Sequence, residues 1–100
     1  MFVPNFYTYA LIDPRDTSFF YVGLTNDVRE RFISHIMNRE VNRQKNAIID
    51  ELRAVGMLPY FRLLEVSEGE RAGRDSERRW IAALLEQGEP LTNSERIGKR

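Results

Sequence analysis

"FFYVGLTNDVRERFISHI", residues 19–36, changes its hydrophobic period midway. Up to Leu24 the residues are aromatic, branched and aliphatic, and Phe19, Tyr21 and Gly23 fall on one face of an extended chain. After Asn26 the apolar positions become Val28, Phe32, Ile33, Ile36 and Met37, which follow a helical period. Thr25 or Asn26 is placed to cap that helix, expected over about 27–37. A strand therefore runs straight into a helix. Arg31 follows Tyr21 by ten residues and shares a helical stripe with His35, beside the apolar face. Strand and helix packing do not by themselves require an arginine and a histidine there.

Working outward, "FYTYALID", 6–13, reads as a strand with Tyr7 and Tyr9 on one face. "DPRDTS" follows as a turn, so 6–13 and 18–24 form an antiparallel hairpin. Downstream, the spacing of Ile48, Ile49, Leu52 and Val55 predicts a helix over about 43–55 with those residues inward, stopped by Gly56. "PYFRLLEVS", 59–67, reads as a third strand whose apolar residues fall on both faces, which predicts cover on both sides. Trp80, Ile81, Leu84 and Leu85 form the stripe of a last helix over about 70–87, ended by Gly88 and Pro90. The order β-β-α-α-β-α predicts an α+β fold, a small three-stranded antiparallel sheet flanked by helices.

A chain of 100 residues supports one core, so residues 1–100 are expected to form a single domain with 93–100 as a tail. The hydrophobic share of 42% and charged share of 30% are those of a soluble protein. No apolar run approaches the roughly 20 residues that cross a bilayer, and "MFVPNFYTYA" lacks the basic flank and small-residue cleavage site of a signal peptide. With no cysteine, disulfides, thiolate metal sites and cysteine nucleophiles are excluded, which fits a reducing cytosol. The expected location is cytoplasmic, with no membrane partner. Fifteen basic and fifteen acidic residues cancel, which argues against holding nucleic acid mainly by non-specific charge. Two local excesses stand out, from Arg29 to Lys45 and from Glu95 to Arg100; an ordinary solvated helix face accounts for either.

One position does not fit simple packing. The stripe of the last helix, extended back one turn, reaches Glu77, where a carboxylate is costly unless it is paired or binds a metal. At a helix start it can instead reach water, or pair with Arg74 or Arg78. Each candidate alone has a plain structural reading. Together, Tyr9, Tyr21, Arg31, His35 and Glu77 supply phenols, a permanent cation, an imidazole and a carboxylate. Those are suitable parts for cutting a phosphodiester: a metal ligand, a charge for the phosphoryl oxygens, and groups that orient or deprotonate water.

On these residues the chain resembles the GIY-YIG nuclease family. "YTY", 7–9, stands in the place of the Gly-Ile-Tyr element and keeps its tyrosine as Tyr9; "YVG", 21–23, matches Tyr-Ile-Gly. Arg31 has the spacing of the family's arginine, and His35 matches a histidine common in that helix. "SERRWI", 76–81, resembles the segment with the metal-binding glutamate, and "PLTNSE", 90–95, the segment with an asparagine, here Asn93. The resemblance implies a metal-dependent endonuclease acting on DNA, with RNA not excluded. Glu77 would bind Mg²⁺ or Mn²⁺ and Arg31 would meet the scissile phosphate. Tyr9 and Tyr21 would position the attacking water, His35 would accept a tyrosine proton, and Asn93 would position backbone or a tyrosine. Gly23 would let the strand end approach a helix or phosphate closely. Thr25, Arg39, Arg43 and Lys45 are expected to join Gly23 and Arg31 in holding substrate. Family members act in repair, recombination, restriction and mobile-element homing, and an attached domain usually sets their specificity; here either a protein partner supplies it, or the enzyme reads DNA shape, or the chain is a fragment of a longer protein. The alternative is a nucleic-acid-binding module of the same fold with little catalysis.

Overall fold

The computed structural model describes residues 2–93. Three strands, β1 (Asn5–Ile12), β2 (Phe19–Thr25) and β3 (Tyr60–Glu68), and three helices, α1 (Val28–Ile36), α2 (Arg43–Ala54) and α3 (Glu70–Glu86), follow in the order β-β-α-α-β-α. The sheet is antiparallel throughout, with strand order β2-β1-β3, so the α+β expectation holds. Among the described residues no helix is long and apolar enough to cross a membrane.

The hairpin closes where Asp13 N donates to Ser18 O at 2.8 Å and the Asp13 carboxylate accepts from Arg15 N at 2.9 Å, the local bonding that makes Asp a turn residue. Asp27, rather than Thr25 or Asn26, caps α1 by accepting from Glu30 N at 3.1 Å. The Thr25 hydroxyl instead accepts from Asp27 N at 3.0 Å and shapes the turn ahead of the cap. Asn42 caps α2 and accepts from Lys45 N at 3.0 Å. Gly56, at φ 77°, takes the left-handed conformation that stops α2.

Tyr9, Leu11, Phe20, Tyr21 and Ile49 form the core on one face of the sheet, against α1 and α2. Ala10, Ile12, Val22, Leu84 and Leu91 form the core on the other, against α3. Gly73 lets α3 sit close: a Cβ there would lie 2.9 Å from Phe6 Cβ.

Several side chains depart from the simple periods. The β1–β2 register slips between Leu11↔Tyr21 and Ile12↔Phe19, so Phe20 is an extra residue. Phe19 is thereby turned to the α3 side, and only Tyr21 and Gly23 of the expected trio share a face. β3 is an edge strand with Leu63 and Val66 exposed, so cover on both sides is not realised. Ile33 and Leu85 are also exposed, at the rim of their helices' apolar stripes, and so are Met37 and Val55, the C-cap residues that follow α1 and α2.

Candidate active site

Phe6, Tyr21, Leu24, Thr25, Asn26, Arg31, Glu70, Arg74 and Glu77 line a cleft of about 470 Å³ beside edge strand β2. The strand-to-helix passage builds most of it. β2 delivers Tyr21 and Thr25, the capped start of α1 delivers Arg31, and α3, drawn in at Gly73, delivers Glu70, Arg74 and Glu77. Thus Tyr21, Thr25, Arg31 and Glu77, separated by up to 56 positions in sequence, share one lining.

Behind Tyr21 lies a buried polar group. Tyr9 and His35 are fully buried, and Tyr9 Oη lies 2.6 Å from His35 Nε2. Lys45 Nζ lies 2.8 Å from His35 Nδ1 and donates to Glu40 Oε1 at 3.3 Å. Glu40 Oε2 accepts from Arg31 Nη1 at 2.5 Å, which ties the buried group to the cleft. The His35 ring stands edge-on to both Tyr9 and Tyr21, and Lys45 Nζ is 5.1 Å from the Tyr21 ring centroid.

This crowding shifts the titrating groups. Burial pushes the Tyr9 phenol far above its ordinary value; Tyr21, Glu40 and Glu77 add to that, and Arg31 opposes it. Burial, and then the Lys45 cation, lower His35 from 6.5 to about 4. Burial works against the Glu40 carboxylate, yet the Lys45 and Arg31 cations hold it below the usual range.

Other expected residues lie elsewhere. Lys45, expected on substrate, is fully buried with its ammonium on His35 and Glu40. Arg39 and Arg43 are exposed and do not line the cleft. Gly23 makes room for Tyr9, not for a helix or phosphate: a Cβ there would fall 2.3 Å from Tyr9 Oη. Asn93 accepts from Val22 N at 2.9 Å and donates to Val22 O at 2.7 Å, pairing with the outer edge of β2 one residue from Tyr21. The basic run from Glu95 to Arg100 lies outside the described residues. Glu70, Arg74 and Glu40 have no counterpart among the residues expected from sequence. Arg74 pairs with Glu70, and Arg78 with Asp75.

Glu70 and Glu77 offer oxygen ligands on the cleft, and among the described residues no group of three or more His, Cys, Asp or Glu could hold a metal. Sparse oxygen ligation suits Mg²⁺ or Mn²⁺, with Mg²⁺ keeping several of its waters, and does not suit a closed zinc site.

A family model described as the GIY-YIG catalytic domain matches residues 5–89, which covers both tyrosines, Arg31, His35 and Glu77 and stops short of Asn93. No curated protein and no solved structure matches the chain.

Proposed function

The chain belongs to the GIY-YIG catalytic-domain family, a nuclease-type domain whose substrates are nucleic acids, and from that premise we propose that it is a metal-dependent endonuclease hydrolysing DNA phosphodiesters. The observation that carries this reading is the convergence of Tyr21, Arg31 and Glu77 on one cleft. Arg31 offers a permanent cation and a planar fork for the phosphoryl oxygens. Tyr21, on the lining, orients the attacking water; as a phenolate beside Arg31, its own proton released to solvent at the open cleft, it would accept the water's proton. Glu77 would hold Mg²⁺ or Mn²⁺, and the ion would supply Lewis-acid stabilisation of the leaving oxygen. Tyr9 supports Tyr21 from behind, and Asn93 holds the β2 backbone beside it. We place the enzyme in a reducing cytosol and assign its targeting to a protein partner or to DNA shape.

The test is a cleavage panel of duplex, nicked, flapped and branched DNA with RNA controls, with and without Mg²⁺. Metal-dependent cutting of at least one DNA form is expected. Glu77→Gln should abolish it with little change in melting temperature. Nucleic-acid binding with no cutting under any metal would instead identify a binding module of the same fold.

A further inference from the structure

His35 is held at both ring nitrogens, by Tyr9 Oη at Nε2 and by Lys45 Nζ at Nδ1. The chemistry of the partners settles which way the protons run. An ammonium has three donors and no acceptor. Lys45 is fully buried beside Glu40, a carboxylate that Lys45 and Arg31 hold ionised, and that pairing is what lets a buried lysine keep its charge. Nδ1 must then accept. A neutral imidazole that accepts at Nδ1 carries its proton on Nε2 and donates there. A protonated imidazole would instead turn an N–H toward the ammonium, and burial and Lys45 both work against that form.

We infer that Lys45 is a positioning residue for the tyrosine pair: held by Glu40, it fixes the His35 tautomer so that Nε2–H donates to the Tyr9 oxygen. This rests on the nuclease reading and revises one of its parts. With Nε2 already protonated, His35 cannot take the Tyr9 proton; it is a donor that locks the phenol in place. Tyr9 stays neutral, and the work of a base falls to Tyr21, which lines the cleft. The same ammonium lies against the Tyr21 ring, so one buried cation orders the surroundings of both tyrosines. A neutral residue at position 45 would not impose this order, since an amide both donates and accepts.

His35 is the only histidine in the chain, so a ¹⁵N-labelled full-length sample shows one imidazole. The groups that face it are Tyr9 of β1, Tyr21 of β2, Arg31 of α1, Glu40 ahead of α2, and Lys45 of α2. The wild-type ¹⁵N–¹H spectrum should show a protonated Nε2 and a bare Nδ1 from neutral pH down to about pH 5. In Lys45→Met the His35 titration should rise by about a unit, and cleavage should fall roughly tenfold or more with KM for DNA little changed. A wild-type spectrum with the proton on Nδ1, or an imidazolium at neutral pH, would overturn the proposal without any variant. So would Lys45→Met with wild-type titration, or with full cleavage. If the wild-type spectrum is as expected but no DNA is cut, the nuclease reading falls while the donor order stands. If DNA is cut but the proton sits on Nδ1, only the donor order falls.

Discussion

Both faces of the sheet bury a polar network, built from different parts. On the α3 face, Thr8 donates to Ser76 Oγ at 2.8 Å, Ser76 donates to Glu65 at 2.8 Å, and Trp80 Nε1 donates to the same carboxylate oxygen at 2.9 Å. These are hydroxyls and an indole gathered on one carboxylate at the sheet margin, and they fasten helix to sheet. On the opposite face, Glu40, Lys45, His35 and Tyr9 put an ammonium and a neutral imidazole in the interior. That is costly: a hydrophobic replacement for a buried ion pair is often neutral or stabilising. The costly network is the one tied through Glu40 to Arg31 and the cleft. Polar burial alone therefore does not mark a functional site in this fold. Buried charge next to a cleft is the feature that sets the two networks apart, and its part in cleavage is what the variants below test.

The largest way to break this comparison is at Arg31. Arg31→Lys keeps the charge but loses the planar fork, so cleavage should drop roughly a hundredfold or more while the fold persists. Near-normal turnover would make Arg31 only the outer member of the Glu40 group.

The two glycines at the sheet sharpen the contrast. A Cβ added at Gly23 would fall 2.3 Å from Tyr9 Oη and 2.4 Å from Cζ, against a ring that is fully buried and stacked on Phe61. Gly23→Ala should therefore cost about 3 kcal/mol, at the upper end for overpacking. At Gly73 a Cβ would meet Phe6 Cβ at 2.9 Å and the half-buried Leu24 side chain at 3.0 Å, so a small shift of the helix relieves it. Alanine's helix propensity offsets up to about 1 kcal/mol of that. Chemical denaturation of both variants checks the order; equal losses would mean that the Tyr9 pocket is more yielding than its packing implies.

Acid should separate the faces next. His35 is depressed from 6.5 to about 4 in the folded chain, so the unfolded chain binds the proton first as pH falls. Its contribution to stability is complete above about 6.5 and is lost between there and about 4. Glu65, held low first by Ser76 and then by Trp80, loses its contribution only as pH falls below 4.5. In unfolding free energy measured against pH, wild type should fall by a few kcal/mol relative to His35→Gln over the upper window, at about 1.4 kcal/mol per pKa unit. Parallel curves there would show His35 to be unshifted.

Element order was legible because each period switch coincides with a cap or a glycine, as at Asp27 and Gly56. Arg31 and Glu77 were legible because each stands at the end or edge of an apolar stripe, where packing does not ask for a charge; Tyr21 belongs to the core and was legible only through the Tyr-Val-Gly match. The bulges at Phe20 and Leu64 were not, since an extra residue in a strand leaves no mark in an aromatic or aliphatic run. Lysine at a helix start is normally wet, so Lys45 reads from sequence as a phosphate contact. Its burial depends on Glu40 and His35 folding over it, and no periodicity along α2 carries that. Glu40, in a connection without regular structure, registers in the sequence only as a charge.

The smallest expected effect lies on the α3 face. Ser76→Ala removes the acceptor of the Thr8 hydroxyl and one donor to Glu65. Glu65 keeps Trp80 Nε1 and has Arg79 Nη2 at 3.5 Å, so its carboxylate stays supported. Thr8 is fully buried, and an unsatisfied hydroxyl there costs about 1–2 kcal/mol. Alanine is the better helix former and returns roughly half a kcal/mol. The net loss should be about 1 kcal/mol, with the cost residing at Thr8. Removing both hydroxyls, as Thr8→Val with Ser76→Ala, should then be milder than Ser76→Ala alone, since replacing both partners leaves nothing unpaired. Cleavage should be unchanged in either variant, because neither side chain lines the cleft or touches His35. Melting curves of the single and double variants, read beside their turnover, decide the matter. A loss of cleavage in Ser76→Ala would mean that the fastening on this face sets the position of Glu77, the next residue on α3, and that the two networks share the work of building the site.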